Sequence, residues 1–107
     1  MLKFIDVIPS RERVLPGESL NILGGAANGG DDVTAEIGVW GRTDGGWRLL
    51  MSRTVTVEKG EHKHLYFTLP PELFSEPFWE EDPEELELII RDRKPEESEN
   101  GIMIFIG

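Results

Sequence analysis

Leu15-Pro16-Gly17-Glu18 followed by Ser19-Leu20-Asn21-Ile22, and Glu58-Lys59-Gly60-Glu61 leading to Leu65-Tyr66-Phe67-Thr68-Leu69-Pro70, carry one pattern twice. Glycine supplies the positive φ that a tight turn needs, and the residues that follow alternate apolar and polar with the period of a strand. The same alternation recurs outward from these turns. Residues 2–8 form a first strand candidate closed by Pro9, and Val14-Leu15 continue it after a kink. A second strand spans residues 19–25, followed by a loop at 26–32 with turn chemistry at nearly every position. Residues 33–42 alternate most cleanly, with Val33, Ala35, Ile37 and Val39 opposite Thr34, Glu36, Gly38 and Trp40. Thr43-Asp44-Gly45-Gly46 reads as a hairpin turn into a strand or strand pair at 47–57.

The remaining segments complete a small all-β chain. Leu65, Phe67 and Leu69 point one way in a strand over 62–69. Residues 70–85 are irregular and acidic, with one helical turn expected at Pro71-Glu72-Leu73-Phe74. Strands at 84–92 and 102–106 follow, separated by a charged loop. About seven strands at these spacings predict an antiparallel β-sandwich forming a single domain over residues 1–107.

Strand order and loop lengths resemble an immunoglobulin-like fold. More narrowly, Pro16-Gly17-Glu18, Asn28-Gly29, Gly60-Glu61 and Phe67-Thr68-Leu69-Pro70 resemble the turn pattern of the bacterial cell-adhesion-related modules called CARDB. The resemblance covers roughly residues 1–70, and the acidic connection at 70–85 departs from it. It implies an extracellular, non-catalytic adhesion or spacer module.

Composition excludes several function classes. The net charge of −10 leaves no basic stripe to track phosphates or an anionic membrane surface. There is no cysteine, and hence no disulfide, thiolate catalysis or cysteine-ligated zinc. No segment reaches the ~20 apolar residues of a membrane-spanning helix. The opening stretch is too short and too alternating for a signal peptide. The expected compartment is the cell surface if the chain is a module of a longer exported parent, and the cytoplasm otherwise. No nucleophile elbow or phosphate loop is present, so no catalytic residue and no enzyme activity are expected.

Three binding sites remain as expectations. His62 and His64 share one face of a strand and form two of the ligands of a metal site, or a solvated pair. Asp31 and Asp32, with Glu58, Glu61, Glu96, Glu97 and Glu99, are expected on loops gathered at one end of a sandwich, where calcium is the candidate cofactor. Alternation places Trp40, Ile89, Met103 and Phe105 on the outer face of one sheet, as an apolar patch for self-association or a protein partner. That patch exists only if the strands run unbroken and no loop covers it. The first functional expectation is therefore a non-catalytic interaction or spacer module. The second is an accessory module for a glycan ligand, stacked on Trp40 and Trp47 and supported by calcium. Phe78 and Trp79 are expected to fold over the open end of the core.

Overall fold

The computed structural model describes residues 1–107, the side chain of Asp6 excepted. Eight strands form: β1 (Leu2–Pro9), β2 (Arg13–Val14), β3 (Leu20–Asn28), β4 (Val33–Arg42), β5 (Arg48–Val57), β6 (His62–Leu69), β7 (Glu85–Arg91) and β8 (Ile102–Ile106). They make a β-sandwich of two sheets, one ordered β1-β3-β6 and the other β2-β8-β7-β4-β5. All pairings are antiparallel except β2 with β8. The count exceeds the expected seven because Val14 does not extend β1. After Pro9 the chain crosses between layers, and Arg13-Val14 pair with Phe105 and Ile106 in the second sheet.

The two Gly-Glu turns form as read. Gly17 and Gly60 have φ of 82° and 77°. In each turn the glutamate closes the loop twice. The amide of Glu18 donates to Leu15 O, and Glu18 Oε1 accepts from the Leu15 amide at 2.8 Å. Glu61 does the same for Glu58, also at 2.8 Å. A third clasp was not read from the sequence: Glu99 closes onto Glu96 through its amide and through Oε2, at 2.7 Å. Ser98 stands there in place of the glycine, so the Gly-Glu signal is missing.

The alternating residues bury as expected. Leu20, Ile22, Ile37, Val39, Leu65, Leu69, Leu86, Leu88, Ile90 and Ile104 are at most 1% exposed between the sheets. Each contributes on the order of 1.5–3 kcal/mol of transfer free energy. β3 runs three residues further than its turn-forming composition suggests. Its small residues serve close packing: a Cβ on Gly24 would sit 2.6 Å from Ile90 Cδ1. Asn28, buried at the strand's end, donates from Nδ2 to Val57 O and Asp31 O and accepts from the Gly30 amide.

A single 3-10 turn (Pro71–Phe74) follows β6, as expected. Trp79 then folds back into the core, 6% exposed, its indole N–H donating to Leu73 O at 2.8 Å. Phe78 packs against the same core, and the Arg48 guanidinium lies over both rings, so the pair does cap this end.

Candidate interaction surfaces

The outer face of the five-stranded sheet is not the open patch that alternation predicts. Trp40 is flanked by Leu49 on β5 and Ile89 on β7. The next row outward along the sheet is Arg42, Glu87 and Met103, and the one after it pairs Glu85 with Phe105. An ion pair therefore interrupts the apolar set: Arg42 Nε donates to Glu87 Oε1 at 2.6 Å.

The loop joining β7 to β8 then covers the middle of this face. Arg42 reaches Glu97 O at 2.8 Å and Glu99 O at 2.9 Å. Trp47 donates to Glu96 O at 3.1 Å, with the Arg42 guanidinium 4.3 Å above its ring. Ile89 is consequently 2% exposed and Trp47 4%, although neither belongs to the inter-sheet core. Trp40 is half-buried, and its indole N–H is buried without a hydrogen-bond partner among the described residues. Of the four residues expected to form the patch, Met103 and Phe105 are exposed, and Arg13 lies over the Phe105 ring. The physical reason is a long-range one. Loop carbonyls find donors in Arg42 and Trp47, so the loop folds back instead of extending into solvent. Trp47, covered by Arg42, offers no open ring for stacking a sugar.

Electrostatics hold the cover in place. Burial alone would raise the Glu87 carboxyl; the Arg42 bond and the Gly101 amide, at 2.6 Å, outweigh it and leave the group below its ordinary value of 4.5. The Glu96 amide and Arg91 lower Glu99 likewise. On the same sheet Glu36 is lowered by the hydroxyls of Ser52 and Thr54.

The acidic loops do not converge. Asp32 Oδ1 accepts from the Lys59 amide, and the Asn28 and Gly60 backbones join, so two loops do share one end. The third loop, with Glu96, Glu97 and Glu99, is drawn instead to Arg42 and Trp47 at the far end of β4. Among the described residues no three His, Asp or Glu side chains come together, so Asp31, Asp32, His62 and His64 acquire no third ligand. His62 and His64 do share a face, their ring centroids 5.7 Å apart, exposed on β6.

That face, the outer side of β1-β3-β6, carries the surface that sequence reading missed. Three cross-strand rows lie side by side: Lys3, Ala27 and His62; Ile5, Gly25 and His64; Ile8, Leu23 and Tyr66. Ile5, Ile8 and Tyr66 are 40%, 60% and 63% exposed, and Leu23 between them is half-buried. A bulge between Ile5 and Ile8 breaks strict alternation. Val7 turns into the core while Ile5 and Ile8 both stay out. Gly25 leaves room for the His62 ring, whose Nε2 would stand 3.1 Å from a Cβ there.

No protein-family model matches the chain, and no curated protein matches it. Among solved structures it is similar to a β-glucosidase from Erythrobacter marinus, with a TM-score of 0.80 and 14% identity. It is also similar to a β-glucosidase from Listeria innocua, solved with gluconolactone (TM-score 0.72, 19% identity) and with glucose (0.69, 21%). The matches cover 99–100% of this chain but only 15–16% of the glucosidase chains. At such identities the likeness is one of fold.

Proposed function

We propose that this chain is a non-catalytic interaction or spacer module, and that it docks on a larger protein through the outer face of β1-β3-β6. One observation carries the reading: Ile5, Ile8 and Tyr66 stand exposed around Leu23 in adjacent rows of one sheet face. A contiguous apolar patch on a soluble domain costs solvation unless something covers it, and such patches mark contact sites. The fold comparison supports the same reading, because a fold equivalent to this whole chain makes up a small part of much longer β-glucosidase chains. The adhesion-like turn pattern supports a module on a cell-surface parent in the same way. Glycan stacking is the weaker alternative, since Trp47 is covered and Trp40 half-buried.

The test uses 8-anilinonaphthalene sulfonate, an apolar probe, titrated into isotope-labelled protein. Amide shifts are expected at Ile5, Ile8, Leu23 and Tyr66, and are lost in the double variant Ile8→Ser, Tyr66→Ser. Shifts confined to Met103 and Phe105, or hydrolysis of a nitrophenyl β-glucoside by the purified chain, would sink this reading.

A further inference from the structure

We propose that the partner surface received by this face is apolar and bears carboxylates. The inference rests on the docking reading above and adds the partner's chemistry. The chain has 21 acidic residues against 11 Lys and Arg. Yet the three rows on this face hold Lys3, His62 and His64 and, among the described side chains, no Asp or Glu. The acid that precedes His62 in the chain is turned to other work. Glu61 closes its own turn through Oε1 and lies 4.0 Å from Lys63 through Oε2, and Lys63 reaches Thr56 O. The opposite outer face carries Glu36, Glu85 and Glu87.

Charge complementarity then selects the occupant. A carboxylate-bearing surface is repelled by most of this molecule and accepted here, where an ammonium and imidazole N–H groups border the apolar rows. A second copy docked face to face would bring only this same face, whose three rows hold no Asp or Glu among the described side chains. Such a contact gains the apolar burial but no charge complement. The two imidazoles, tilted 33° to each other, and Tyr66 in the next row suit an aromatic anchor flanked by Asp or Glu.

Two synthetic peptides of equal length test this, each with a Trp-Phe centre, one flanked by Glu and the other by Lys, titrated into isotope-labelled protein. The Glu peptide is expected to shift the amides of all three rows and to bind about tenfold tighter than the Lys peptide. Its binding should weaken as salt screens the charges. The double variant Lys3→Glu, His64→Glu should reverse the preference. Ile8→Ser, Tyr66→Ser should lose both peptides. Because all four positions are on the sheet surface, a retained urea midpoint verifies that each variant folds. Equal affinities, or a tighter Lys peptide, would overturn the carboxylate inference while leaving the docking reading intact. Failure of both peptides with the sulfonate probe still bound overturns it too; failure of all three removes the docking reading as well. A concentration-dependent rise in solution mass, abolished by Tyr66→Ser, would make the occupant a second copy and overturn the proposal.

Discussion

The Arg42 guanidinium rests 4.3 Å above the Trp47 ring, and from that position it holds both Glu87 and the loop that closes over the sheet. Arginine suits the role because its planar fork can stack and donate several bonds at once; an ammonium has neither the plane nor the reach. Arg42→Lys and Arg42→Ala should therefore both release the loop. The expected readouts are a red-shifted tryptophan emission and greater acrylamide quenching, as Trp47 gains water. The loss of stability should be about 2–4 kcal/mol for Arg42→Ala, since Glu87 is left half-buried without its partner. Unchanged quenching would mean that the loop is held by something else.

Two tryptophans on the same face should respond unequally to the same substitution. Trp47→Phe removes a bond to Glu96 O, whereas Trp40→Phe removes a buried N–H that has no partner among the described residues. Trp47→Phe should cost more, by about 1 kcal/mol in urea unfolding. Equal losses would show that the Trp40 N–H is solvated.

Acid should weaken the fold in a defined direction. Glu18, Glu36, Glu87 and Glu99 are all held below their ordinary value of 4.5. For Glu18 the causes are the Leu15 amide and then Arg11. A depressed carboxyl contributes stability that is fully present above the unfolded value and is lost as pH falls through the folded one. The unfolding midpoint should be flat from neutral pH to about 5 and fall below about 4.5. Glu87→Gln should lower the neutral-pH midpoint and flatten part of this decline. A midpoint that rises on acidification would contradict these assignments.

Asn28 links three segments through one amide. Asn28→Ala leaves Val57 O, Asp31 O and the Gly30 amide without that partner, at an expected cost of about 2–3 kcal/mol. Asn28→Asp restores the acceptor but not the donor, and should be no better. Full stability in either variant would show that water replaces the side chain.

Gly101→Ala tests the loop's return path. The new Cβ would lie 2.0 Å from Leu88 O, a backbone atom that cannot swing aside. A loss of about 3 kcal/mol or failure to fold is expected, against near neutrality for Gly45→Ala, which meets nothing within 4 Å.

Much of the fold was legible because its signals are local. Gly17 and Gly60 announce turns, and Leu65, Phe67 and Leu69 announce an inward face, from a few residues at a time. The surfaces were not legible in the same way. Ile89 and Met103 alternate outward alike, and a loop held by Arg42 and Trp47, some fifty residues earlier in the chain, lies over one and not the other. On the opposite sheet Tyr66 was outward by simple alternation. Ile5 and Ile8 join it only through a bulge, which no pattern of period two foretells. The Glu99 clasp was hidden because Ser98 occupies the place where glycine signals the other two.

The passage of the chain from β1 to β2 has a mechanical consequence. β1 is hydrogen-bonded into one layer and β2 into the other, with Arg13 Nη1 donating to Gly107 O and the Gly107 amide to Val14 O. The three residues between them are thus a strap across the seam of the sandwich. To part the layers there, a force must first strip either the two-residue β2–β8 ladder or the longer β1–β3 ladder.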